Sequence, residues 1–111
     1  MARPLHSPDI EVQIAFLPTS EGGKTRSVRS GYRPEHDFGI PGILFGGHHE
    51  LVGQDSVPPG ESSRSLLWLL NPEPLIGRLS PGLEFTVQEG LQVVARGVII
   101  KVINQALRSC A

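Results

Sequence analysis

Apolar and polar positions in this chain mostly alternate in twos. Ile10, Val12, Ile14 and Phe16 alternate with Glu11, Gln13 and Ala15. Successive residues of a strand point to opposite faces, so this run predicts a strand with one buried face. Pro18 ends it, and the small, polar stretch Thr19 to Ser30 reads as a loop in which Gly22-Gly23 can take positive φ. From Tyr32 to Phe38 the alternation is polar-rich, and Pro34 places it at a strand edge or strand start. Gly39 to Gly47 holds four glycines and one proline, so its backbone is expected to bend or bulge. A short strand is expected over Glu50 to Gly53, a turn at Pro58-Pro59-Gly60-Glu61, and a strand over Ser65 to Leu70 stopped by Asn71-Pro72. Beyond Pro74 and Pro81-Gly82, the runs Leu83 to Gly90 and Val93 to Val102 predict a hairpin turning at Glu89-Gly90, its second strand broken at Gly97. No stretch has a helical period; a single turn at Asn104 to Arg108 is the exception. About six short strands in one small chain point to a closed barrel or a compact sandwich.

Composition narrows this picture. The 111 residues suit one domain with its own core, and 39% hydrophobic against 19% charged residues marks a globular chain. Thirteen glycines and ten prolines fit many strands joined by tight turns. A net charge of −1 supplies no strong field for nucleic acid or an anionic membrane. Cys110 is the one cysteine and cannot form an internal disulfide, which points to a reducing compartment. Met1 to Asp9 does not match a secretory signal, and the apolar runs Leu66 to Leu70 and Val98 to Ile100 are too short to cross a bilayer. A cytoplasmic protein is expected, with residues 1–8 a flexible leader, 9–104 the folded domain and 105–111 a tail.

Candidate chemistry is sparse. A guanine-nucleotide site needs a Gly-rich phosphate cradle followed by Lys and Ser/Thr. Glu21-Gly22-Gly23-Lys24-Thr25 lacks the first glycine of that spacing and no long helix follows, so no GTP site is expected. His48-His49-Glu50, with Asp55 and Glu61 beyond, invites a metal and faintly resembles the His-rich motif of cupin barrels. On a strand adjacent residues face opposite ways; on a loop both could ligate, but only two imidazoles are local and His36 would have to arrive from another strand. A solvated Gly-rich loop and no metal are therefore expected. Ser56, Ser62, Ser63 and Ser65 lie outside any Gly-x-Ser-x-Gly elbow, and Cys110 has nothing nearby to activate it. No catalytic residue and no cofactor is expected. Lys24, Arg26, Arg29 and Arg33 form a basic segment with Tyr32 among them, a combination able to hold phosphate and stack a base, or simply a solvated loop. Leu66-Leu67-Trp68-Leu69-Leu70 is apolar on both faces where a small barrel should alternate. Either the domain covers both faces itself, or Leu66, Trp68 and Leu70 form an interface; the interface is the expectation.

Glu21-Gly22-Gly23-Lys24, Gly31-Tyr32-Arg33-Pro34, Pro59-Gly60-Glu61, Glu89-Gly90 and Gly97 to Val102 follow one another in an order and spacing that resembles the C-terminal β-barrel domain (domain III) of elongation factor Tu and its relatives, over residues 9–103. The resemblance implies an all-β fold: a six-stranded antiparallel Greek-key-type β-barrel. In those factors the barrel follows a GTPase domain and helps bind aminoacyl-tRNA and the nucleotide-exchange factor. By that resemblance, Arg33, Glu35, Gln88, Glu89, Gln92 and Arg96 join Lys24, Arg26 and Arg29 as the RNA-facing candidates. The departures are telling. Gln88 and Gln92 flank the hairpin turn where the family usually has arginines, and each lost cation removes a phosphate partner. The expectation is a stand-alone, non-catalytic interaction module whose partner is another protein or a second copy. Its alternative is an RNA- or tRNA-binding module of weak affinity.

Overall fold

Ile10, Val12, Ile14 and Phe16 all turn inward on strand β1 (Ile10–Phe16), as their spacing predicts. The computed structural model describes residues 3–110. Within them follow β2 (Val28–Arg29), β3 (Glu35–Asp37), β4 (Phe45–Leu51), β5 (Ser56–Val57), β6 (Ser62–Leu69), β7 (Glu84–Glu89) and β8 (Gln92–Val102). Six strands close into an antiparallel barrel in the order β1-β6-β4-β3-β7-β8, with β8 pairing back onto β1. Strands β3, β4 and β6 are successive neighbours while β1 lies beside β6, the arrangement of a Greek key. Closure leaves the barrel without an edge strand. The all-β, six-stranded antiparallel barrel expected from the sequence is therefore the fold.

Leu67, Leu69, Phe85, Val87 and Ile99 fill the interior with the β1 side chains. Phe38 sits between Phe45 and Phe85, at ring-centroid distances of 5.8 and 5.0 Å. Strand β8 runs unbroken through Gly97, against expectation. The glycine is there because the Phe85 ring lies on it: a Cβ at position 97 would stand 2.7 Å from Phe85 Cε2. Strand β4 likewise starts at Phe45 and takes Gly46 and Gly47 into its ladder, where a bend was expected. The bend lies earlier, at Gly39 and Gly42, both with positive φ.

Strands β2 and β5 pair as a separate ribbon, Val28 opposite Val57, the first inside the stretch that reads as a loop and the second just ahead of the expected turn at Pro58. Two residues are too few to show a period. The turn expected at Asn104 to Arg108 is a 3₁₀ turn, Gln105–Leu107, capped by the Asn104 side chain, which accepts from the Ala106 N–H. Leu107 is buried, so the first residues of the expected tail are packed against the barrel. No helix among the described residues is long and apolar enough to cross a membrane.

At the other end of the chain, Asp9 clamps the start of β1. Its N–H donates to the Leu67 carbonyl at 2.9 Å, and its carboxylate accepts from the Leu69 N–H at 2.7 Å and the Asn104 amide at 2.9 Å. Residues 3–8, expected as a flexible leader, continue from this clamp onto the outer face of β6; Met1 and Ala2 of that segment, and Ala111 of the tail, lie outside the described residues.

Candidate functional site

Four of the nine RNA-facing candidates converge where the loop after β1 meets the β7–β8 hairpin. Lys24, Arg26, Glu89 and Gln92 line an open cleft of about 340 Å³ together with Gly23, Thr25 and Val94. The loop is drawn there by a latch. Lys24 Nζ donates to Glu89 Oε2 at 2.6 Å, Tyr32 Oη donates to the same oxygen at 2.5 Å, and the Gln92 side-chain amide donates to the Gly22 carbonyl. The Lys24 ammonium also lies 5.5 Å above the Tyr32 ring centroid. Partial burial pushes the Glu89 carboxyl up, but the hydrogen bonds from Lys24 and Tyr32 outweigh it and hold the group below its ordinary range. Burial first, and the Glu89 carboxylate second, push the Tyr32 phenol well above its ordinary value. Lys24 is thus spent on Glu89, leaving Arg26 as the cation of the cleft outside this latch.

The other candidates are dispersed. Arg33 turns to a different part of the barrel, where its Nε–H donates to His48 Nδ1 at 3.3 Å. Arg29 lies on the β2–β5 ribbon beside Ser56. Glu35 and Gln88 face each other across β3 and β7. Arg96 pairs with Thr86 and Ala15 on the outer wall, lining a second concavity with Asp37 and Glu84. Closing the barrel separates cations that lie close in sequence, so the nine make no single basic face.

The outer wall of β4 and β6 is the second candidate surface. In register, Glu50 faces Leu66 and His48 faces Trp68, and the Leu70 side chain lies over Gly46. Of the three residues expected to form an interface, Trp68 is covered within the chain: residues 3–8 lie over it and it is 1% exposed. Leu66 is half-buried, and Leu70 is 67% exposed. Ile43 and Leu44, just ahead of β4, are 38% and 41% exposed. At Trp68 the chain covers the outer face itself, the alternative to an interface, and the exposed apolar side chain of the run is Leu70, beyond the tryptophan.

Beneath that wall lies a polar chain that local motifs do not reveal. His36 from β3, His49 from β4 and Ser65 from β6 are all fully buried. His36 Nδ1 lies 2.7 Å from the Phe45 carbonyl, which can only accept, so Nδ1 carries the proton. Burial lowers the His36 pKa to about 4, so its Nε2 is bare and accepts from His49 Nε2–H at 2.7 Å. His49 Nδ1 then accepts from the Ser65 hydroxyl at 2.8 Å. Burial, and secondarily the neighbouring imidazoles, lower His49 as well. His48 faces outward: its Nδ1 accepts from Arg33, leaving Nε2–H to donate to Glu50 Oε2 at 2.6 Å. The opposite orientations of His48 and His49 are those expected of adjacent strand residues. His36 does arrive from another strand, and its Nε2 meets His49 Nε2 directly at hydrogen-bond distance. No group of three or more metal-ligating side chains forms among the described residues. No protein-family model matches this chain.

Proposed function

We propose that the chain is an elongation-factor-Tu-like barrel that works as a non-catalytic protein-interaction module, docking through the apolar end of the β4–β6 wall. The observation that carries this reading is the exposure of Ile43 and Leu44 just ahead of β4 and of Leu70 at the end of β6, where its side chain lies over Gly46. Covering such side chains is favourable at about 25 cal/mol per Å² removed from water. The partner is a second copy or another protein. A non-catalytic role is supported by Ser65, whose hydroxyl is bonded to the His49 imidazole: both groups are fully buried, beyond a substrate's reach. The compartment proposed is the cytoplasm, in keeping with the free, exposed Cys110.

The test is Leu70→Glu. Circular dichroism should show an intact barrel, since Leu70 contributes little to the core. Association, read by sedimentation of the pure protein and by retention of partners on the immobilised chain, should fall at least tenfold. Unchanged association would overturn the reading.

A second reading, an RNA- or tRNA-binding module, draws on Arg26 and Gln92 in the loop–hairpin cleft. Arg26 is the cation left there outside the latch, and Arg33 and Arg96 lie elsewhere, so affinity should be weak and should decline steeply with salt. Filter binding at physiological salt decides. A submicromolar dissociation constant would put this reading first.

A further inference from the structure

Trp68 points out of the barrel and is nevertheless buried, because this chain lays its own residues 3–8 across it. The indole N–H donates to the His6 carbonyl at 2.6 Å, and the Arg3 guanidinium stands 5.0 Å over the ring. His48 meets the same ring edge-on, at 5.9 Å and 86°. The seat therefore reads a backbone carbonyl and a cation three residues ahead of it, set apart by Pro4 in the intervening backbone. It does not read the apolar side chain of the segment: Leu5 stands fully in solvent. None of these contacts depends on the segment belonging to the same molecule. The segment joins the barrel at Asp9, whose clamp to Leu67, Leu69 and Asn104 holds β1 in place whichever way residues 3–8 run.

We propose that the outer face of β4–β6 around Trp68 is a peptide seat, filled in one copy by its own residues 3–8 and in a dimer by the same residues of the second copy. The inference rests on the interaction-module reading above and deepens it by naming the partner. A second copy fits because its segment reproduces every contact, and a two-fold exchange fills both seats at once. Six extended residues reach about 20 Å, enough to cross to a neighbouring barrel. Leu5, on the segment, and Leu70, at the end of β6, are both exposed in the single copy, and the new contact between copies offers cover for each. Tethering favours the closed copy at low concentration, so exchange should grow with concentration.

The experiment mixes a ¹⁵N-labelled with a ¹³C-labelled full chain, unfolds and refolds them together at high concentration, and isolates the dimer. Nuclear Overhauser contacts should link the Trp68 indole N–H of one copy to Arg3 and His6 protons of the other. Trp68→Phe and Arg3→Ala remove the same contacts from the closed copy and from the dimer, so neither should shift the dissociation constant appreciably. Leu5→Glu, which charges a side chain exposed in the single copy and covered only between copies, should instead raise it about tenfold with the barrel folded by circular dichroism. A dimer showing only contacts within each copy would overturn the exchange and leave the interaction module standing. A chain monomeric at every concentration would also overturn it, while Leu70-dependent retention of another protein would preserve the broader reading. Loss of that retention as well would remove both.

Discussion

At the scale of single residues, glycines mark places where side chains close in on the backbone. A Cβ at Gly47 would lie 2.6 Å from Leu67 Cδ1 and 3.1 Å from His36 Cε1, so this glycine makes room for the buried imidazole. Gly97 does the same for Phe85, and the Phe85 ring has nowhere to retreat within a filled barrel. Gly97→Ala should therefore destabilise the fold by about 2 kcal/mol, the cost typical of forcing extra volume into a packed core. Urea unfolding would read it as a lower midpoint at unchanged slope. An unchanged midpoint would mean that the ring can move aside. In the sequence Gly97 looks like a strand break, because a glycine inside an apolar run signals an interruption and a close contact equally well.

The scale of elements is governed by the latch between the loop after β1 and the β7–β8 hairpin. One Glu89 oxygen accepts from both Lys24 and Tyr32, and the Lys24–Glu89 pair is partly solvated. Glu89→Gln should cost little global stability, about 0.5 to 1 kcal/mol, as solvated ion pairs do. Its local effect should be larger: amide exchange in the loop after β1 should speed up. The Tyr32 phenol should ionise at lower pH than before, since a carboxylate that opposes phenolate formation has gone. It should still ionise above its ordinary value, because burial is the larger cause of the shift. Ultraviolet titration checks this, and a phenol that does not move would show that Glu89 leaves Tyr32 unaffected. The members of the latch were legible as candidates, but their pairing was not, since residues 65 and 57 positions apart meet only when β8 returns to β1.

For the molecule as a whole, the buried imidazoles set the response to acid. Between pH 6.5 and about 4 the unfolded chain protonates His36 and the folded chain does not, so stability is lost as pH falls through that window. At 1.36 kcal/mol per unit the loss from His36 amounts to about 3 kcal/mol, with His49 shifting stability in the same direction. Glu89 adds a further loss at lower pH, because its folded pKa lies below its ordinary 4.5. The urea midpoint should fall markedly from pH 7 to pH 4.5. A midpoint independent of pH would mean that the imidazoles protonate without unfolding the barrel.

What the sequence determined by itself is the class of fold and the approximate places of the barrel strands, but not the β2–β5 ribbon or the start of β4. The alternation of Ile10 to Phe16, the Glu89-Gly90 turn and the spacing of glycines and prolines are local consequences of a period of two and of backbone sterics, so they survive without knowledge of what lies opposite. The same reading expected His48 and His49 on a solvated Gly-rich loop, whereas both are buried on β4. Only the tertiary structure decided what each face meets. Closure put His36 and Ser65 on either side of His49, sent Arg33 and Arg96 away from Lys24, and laid Arg3 and His6 over Trp68. Those encounters join residues of three or more strands, or the two ends of long loops. Their free energy comes from removing groups from water together, and no single stretch of sequence carries that information.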